Sequence, residues 1–162
     1  WLWGIRPTSF FYEGLANSDG QGACIQQSGC SSAITALGNP FIWWPAAAAL
    51  FFVLVWYWRT KQKEAGLILL GLVGGYLPWL LYSNRTVFQF YAIAFFPWML
   101  LALVFAIRTL LSRARHPDKA RAWVLAYLGL ALLASIFFLP IWLGTWISYD
   151  YWRLHMWLPT WI

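Results

Sequence analysis

Four apolar runs, each about as long as a bilayer is thick and each closed by a polar link, leave this chain little choice of fold. They cover about 41–58, 65–82, 88–107 and 123–143. A transmembrane helix needs about 20 predominantly apolar residues. The expected architecture is therefore all-α and integral to a membrane: a bundle of four transmembrane helices. A loop at 1–40 precedes them, and an aromatic segment at 144–162 follows, too polar to span.

Composition agrees. The chain is 62% hydrophobic and 10% charged, with a mean hydropathy of +0.60. Soluble domains average about 45–50% apolar and about 25% charged. The 14 tryptophans suit a chain with much of its mass at membrane–water interfaces. Trp43-Trp44 and Trp56-Tyr57-Trp58 stand at the two ends of the first run like aromatic belts. The chain opens at Trp1, its methionines are Met99 and Met156, and it shows no signal-peptide pattern. It reads as a segment of a longer protein.

The net charge of +6 does not mark a nucleic-acid surface. Arg59, Lys61 and Lys63 lie in the first link, and Arg108, Arg113, Arg115, Lys119 and Arg121 in the third. Arg6, Arg85 and Arg153 complete the basic residues. Such clustering is what cytoplasmic loops show, and it brings an affinity for anionic headgroups. Both ends of the chain are then expected outside, sharing one face with Arg85.

The breaks in the chain are legible. Gly38-Asn39-Pro40 precedes the first span, and Pro45 fits a first helical turn, where a missing N–H costs nothing. Gly71 and Gly75, four apart, form a small-residue seam. Gly74-Gly75 with Pro78 predicts a kink or an unwound turn near the outer end of the second span. Pro97 lies inside the third span, Pro117 breaks the second basic link and Pro140 lies near the end of the fourth span. Trp1-Leu2-Trp3 and Phe10-Phe11-Tyr12 read as interfacial, and Asn17 to Gly22 as a polar turn region.

Cys24 and Cys30 have five residues between them. A zinc site would need two further ligands, and His116 and His155 are distant in sequence. A redox motif would need a spacing of two. Outside the membrane, a local disulfide is the expected state, stabilising by about 2–3 kcal/mol in the chain-entropy model.

The candidate site is the stretch Asn84-Arg85-Thr86-Val87-Phe88-Gln89-Phe90-Tyr91. Arg85 is the only charge between Glu64 and Arg108. An ionisable residue at that depth is a functional hypothesis by default; the alternative is a side chain that snorkels to the headgroups. On a helix, Arg85 and Gln89 share a face, and a guanidinium beside an amide suits a lipid phosphate. The alternative for Gln89 is an interhelix hydrogen bond. Tyr91 joins them only if the helix starts irregularly. Asp150 and Arg153 are spaced to pair, and His155 is either a partner of Asp150 in acid–base chemistry or structural. No nucleophile–base pair, metal cluster or Gly-rich phosphate loop is present in the sequence.

At Ala36-Leu37-Gly38-Asn39-Pro40-Phe41-Ile42-Trp43-Trp44 the chain resembles the protein O-mannosyltransferases, in their C-terminal four-span region. Arg85 to Phe95, with Gln89-Phe90-Tyr91 in it, is similar to a second stretch of that family in its bacterial, actinobacterial-type form. Tyr151 to Ile162 resembles the ending of the bacterial enzymes. The resemblance implies part of a larger membrane glycosyltransferase of the C superfamily. It implies inverting transfer of mannose from polyprenyl-phosphate-mannose to Ser or Thr of exported proteins at a bacterial plasma membrane, without a cofactor.

The family's catalytic acids lie in an earlier outer loop. Neither Glu13 nor Asp150 stands in that context, so no catalytic residue is assigned here. Arg85, Gln89 and Tyr91 are the expected lipid-phosphate contacts. Expected partners are the donor lipid, the protein acceptors, membrane lipid and the remaining N-terminal part of the enzyme, with no nucleic acid. The competing class is a non-catalytic scaffold or a transporter fragment. A transporter would show inverted repeats and polar groups at mid-depth, and spans one, three and four hold almost none.

Overall fold

The computed structural model describes residues 2–15, 29–81 and 88–162. Arg85 and Cys24 lie outside them, as does the side chain of Gln89. The helices are α1 (Pro40–Thr60), α2 (Lys63–Leu81), α3 (Phe96–Ser112) and α4 (Pro117–Leu143), followed by a short α5 (Tyr149–Leu154). Two 3₁₀ helices cover Gln89–Ala94 and Pro159–Trp161.

The helical membrane fold expected from the apolar runs is what the chain adopts. Among the described residues, three helices, α1, α2 and α4, are long and apolar enough to cross a membrane. α3 has only 17 residues. The expected span at 88–107 is divided: Phe88 is extended (φ −102°, ψ 153°), Gln89–Ala94 is 3₁₀, and α3 begins at Phe96. Pro97 explains the division. It has no N–H and disfavours α conformation in the residue before it, so it stands in the first turn of a new helix rather than inside an old one. Pro117 acts the same way. It opens α4 six residues ahead of the expected start at Trp123, with Asp118 in the first turn and Arg121 3.7 Å from it. α2 runs unbroken through Pro78 to Leu81, so the expected unwound turn is absent.

Residues 1–40 are more than a loop. β1 (Ser9–Leu15) and β2 (Cys30–Thr35) pair antiparallel, and β3 (Ile147–Ser148) from the tail adds to β2, in the order β1-β2-β3. This small sheet sits on the end of the bundle that carries the start of α1 and the end of α4. The Ser32 hydroxyl donates to the Gly144 carbonyl at 2.7 Å. Gly144 closes α4 at φ +67°, a left-handed cap that favours glycine, and a β-carbon there would also meet Ile34 at 2.9 Å.

The basic links lie at the opposite end. Arg113 stands over the Trp56 ring at 4.2 Å, and Lys61 stands 5.3 Å from the rings of both Tyr57 and Trp58. Between the ends, the first core joins α1, α2 and α3 around Val53, Met99 and Phe95. The second joins α4, the sheet and the tail around Phe138, Ile141 and Trp161. The glycine seam holds: a β-carbon at Gly71 would lie 2.2 Å from the Trp98 ring, and one at Gly75 2.5 Å from the Ala94 carbonyl. Many large apolar side chains of α2 and α4 face outward, including Leu70, Leu81, Leu125 and Leu133. That is the surface a lipid-facing helix presents.

Candidate functional site

Where the sheet meets the helix ends, an apolar groove of about 350 Å³ opens. Thr35 to Gly38 form one wall, Phe90, Ile93 and Phe96 the other, with Trp43 and Trp142 between them. Three features of the sequence build it. The first is the Gly38-Asn39-Pro40 run. Asn39 caps α1, its Oδ1 accepting from the Phe41 N–H at 2.9 Å. Its Nδ2 donates to the Ala131 carbonyl at 2.7 Å and to Ser135 Oγ at 2.8 Å, both on α4. One buried amide thus ties the start of α1 to the middle of α4 with all its polar atoms satisfied.

The second feature is Trp43-Trp44. The indole N–H groups donate to the Leu2 and Trp3 carbonyls at 2.8 and 3.0 Å. Trp161 donates to Gly4 at 3.1 Å and Thr160 to Ile5. Four consecutive carbonyls of the N-terminal segment are so held by side chains of α1 and the tail. Gly38 makes room for this, because a β-carbon there would lie 2.5 Å from the Trp43 ring. Trp142 adds a bond of 2.7 Å to the Leu37 carbonyl.

The third feature is the Gln89–Ala94 helix, which follows an extended Phe88; the expected pairing of Arg85 with Gln89 lies outside the described residues. Tyr91 lies half-buried in an aromatic shelf, its ring 4.5 Å from both Trp79 and Phe90. Phe90 continues the shelf to Phe88 at 5.4 Å and to Phe10 of β1 at 5.7 Å. An irregular start is the condition under which Tyr91 was expected to take part.

The tail residues divide differently from expectation. Asp150 and Arg153 form no ion pair; among the described residues, the pair within 4.0 Å is Arg121–Asp118. His155 is fully buried. Its Nδ1 lies 2.7 Å from the Tyr151 carbonyl and its Nε2 2.7 Å from the Phe137 carbonyl. The ring stacks on Phe137 at 4.2 Å. Both nitrogens face backbone carbonyls in a buried site, so His155 anchors the tail on α4, the structural role of the two expected. Cys30 is buried in β2 and disulfide-bonded.

No family model matches the chain. Its relatives are protein mannosyltransferases. The chain is 30% identical over 170 residues to the polyprenol-phosphate-mannose–protein mannosyltransferase of Mycolicibacterium smegmatis, over 99% of this chain and 31% of that enzyme. The enzyme of the same name from Corynebacterium glutamicum is 26% identical over 165 residues, again over 99% and 31%. The chain therefore spans about a third of the length of these relatives. Among solved structures, the Saccharomyces cerevisiae protein O-mannosyltransferase Pmt1–Pmt2 complex bound to the sugar donor shares the fold. Its TM-score is 0.68 at 22% identity, over 81% of this chain and 20% of that one.

Proposed function

We propose that this chain is the C-terminal membrane portion of a protein O-mannosyltransferase, which moves mannose from polyprenyl-phosphate-mannose to Ser or Thr of exported proteins. Similarity over 99% of the chain to enzymes bearing that name carries the reading. The catalytic acid belongs to the rest of the enzyme, the chain's main partner.

In this reading the basic links face the cytoplasm of a bacterial cell, as the positive-inside rule requires. The sheet, the Gln89–Ala94 helix and the tail face outward. α3 with the preceding 3₁₀ turn makes the fourth crossing, and Cys24 pairs with Cys30 in the oxidising exterior. The apolar groove beside Trp43 and Ile93 suits the isoprenoid of the carrier, and the aromatic shelf at Tyr91 suits the headgroup level. Arg85, three residues before Phe88 in the sequence, is the contact this reading assigns to the carrier phosphate.

Arg85→Ala in the full-length enzyme tests the site. Loss of a charge-assisted contact is worth about 1.5–3 kcal/mol, so donor affinity should fall about 10–100-fold, with Arg85→Lys between. Unchanged donor affinity in Arg85→Ala would remove Arg85 from the site.

A further inference from the structure

At the basic end of the bundle, α3 and α4 part. The buried residues of α4 begin at Ala131, and none before it is buried. α3 buries Ala102 and Ala106 in the separate core that it shares with α1 and α2. The parting leaves a groove of about 580 Å³. Val104 and Ile107 of α3 and Val124 and Leu128 of α4 make its walls apolar, and Arg108 and Arg121 line it with them. Arg108 stands one turn before the end of α3 at Ser112, and Arg121 one turn after the start of α4 at Pro117. Two cations from different helices thus meet one groove at matching depth, and the apolar walls run from them toward mid-span.

We infer that this groove holds an anionic phospholipid of the leaflet at the basic links. Its phosphate lies against Arg108 and Arg121, and an acyl chain lies along Val104, Ile107, Val124 and Leu128. The inference goes beyond the transferase reading and needs only the membrane fold. Charge selects the occupant. Arg108 to Arg121 holds five basic residues against one acid, Asp118. Asp118 lies 3.7 Å from Arg121 with both side chains well exposed, an arrangement that leaves the guanidinium open to a stronger anion. Glu64 lines a different hollow, on the α1 and α2 side of α3. Arg108 also borders that hollow, but no ion pair joins it to Glu64, and among the described residues it has none elsewhere. A guanidinium one turn inside a membrane helix seeks an anion, and basic pockets between helices on the cytoplasmic side bind lipid headgroups. The apolar walls decide which anion. A soluble phosphate would leave Val104 and Leu128 uncovered, and both are more than half exposed. A further helix would cover them but leave the arginines unpaired unless it brought acids to that depth. A phospholipid brings phosphate and hydrocarbon together, one above the other.

The experiment uses the full-length protein in phosphatidylcholine vesicles with a minor share of phosphatidylglycerol that carries a photoactivatable acyl chain. Mass spectrometry maps the label. It should fall on the groove walls, at 104–111 and 124–128, and unlabelled phosphatidylglycerol should compete it away. Phosphatidylcholine with the same photoactivatable chain should label these walls weakly, and inorganic phosphate should not compete. Arg108→Gln and Arg121→Gln should each weaken the competition about fivefold, the effect of one arginine near an anionic headgroup. Arg115→Gln, outside the groove, should leave it unchanged. Val104→Trp fills the groove from an exposed position and should remove the label with both arginines in place. Where a variant lowers the unfolding temperature, the comparison of the two lipids on the unaltered protein decides. Equal labelling by both lipids, or an equal loss in Arg115→Gln and Arg108→Gln, reduces the effect to a general attraction of the link and overturns the site. Competition by inorganic phosphate makes it an ion site and overturns the lipid. Walls left unlabelled while Leu70 and Leu81 of α2 take the label mean that another span of the protein covers the groove, which also overturns the site. No readout involves mannose transfer, so the site and the transferase reading fail separately.

Discussion

The Tyr127 hydroxyl of α4 donates to the Phe41 carbonyl of α1 at 2.7 Å, and Pro45 is the reason that carbonyl is open. In an α-helix the N–H of residue 45 would bond to that oxygen, and proline has no N–H. A carbonyl left unmade in a membrane bundle is costly, so a hydroxyl from the neighbouring helix fills the place. The same hydrogen bond satisfies α1 and docks it on α4.

A double-mutant cycle measures the arrangement. Tyr127→Phe should cost about 1–2 kcal/mol, read as a lower thermal unfolding midpoint of the full-length enzyme in detergent. In a Pro45→Ala background the helix supplies its own donor, and the cost of Tyr127→Phe should shrink markedly. Equal costs in both backgrounds would separate the tyrosine from the proline.

Asn39 offers a sharper contrast, because its two ends do different work. Asn39→Asp keeps the cap to the Phe41 N–H but deletes both donors to α4 and buries a charge against the Ala131 carbonyl. Asn39→Ala loses cap and donors together. Both should lower stability by several kcal/mol, with the aspartate no better than the alanine despite its cap strength in isolated helices. Ser135→Ala should cost less, since Asn39 Nδ2 keeps the Ala131 carbonyl. An Asn39→Asp variant as stable as the parent would mean that capping alone explains the residue.

Gly71 and Gly74 differ by one turn position and by everything they face. A β-carbon at Gly71 falls 2.2 Å from the Trp98 ring, whereas at Gly74 nothing lies within 4 Å. Gly71→Ala should force α2 from α3 and cost about 1–3 kcal/mol. Gly74→Ala should be neutral or raise stability by up to about 1 kcal/mol through helix propensity. Thermal unfolding of the two variants side by side is the check. Equal behaviour would mean that α2 does not pack on Trp98.

These residues also show how far the sequence carries. The apolar runs disclose the helices, since hydrophobic length and basic links are properties of composition alone. The Gly71–Gly75 seam is readable because close approach leaves only small residues. The sheet is not. Phe10-Phe11-Tyr12 suits an interfacial segment as well as a strand, and β1 is exposed along almost its whole length, so it lacks the alternation that marks a half-buried strand. Aromatic β-propensity flanking the Asn17–Gly22 turn region is the available signal. Asn39 reads as a chain break because a cap and a turn use the same residues; its second bond, to α4, depends on a neighbour 92 residues away. The change from 3₁₀ to α conformation at the start of the third run is hidden when Pro97 is weighed as an interruption rather than as the first turn of a helix.

His155 supplies the last test. It joins the Tyr151 carbonyl at the end of α5 to the Phe137 carbonyl of α4, and its ring lies between Phe137 and Tyr151. His155→Phe retains the stack and removes the one N–H that the neutral ring offers to these carbonyls. At about 1–3 kcal/mol for a group left unsatisfied, the variant should be destabilised by that amount, and the tail should become sensitive to protease. The damage should be local: Trp142, Trp152 and Trp161 share the core beneath the tail, whereas α1, α2 and α3 pack around a separate one. Limited proteolysis of His155→Phe in detergent should therefore release the end of the chain after Gly144 and leave the remainder intact. Cleavage spread through the Arg59–Glu64 and Arg108–Arg121 links instead would mean that His155 supports the whole bundle and not the tail alone.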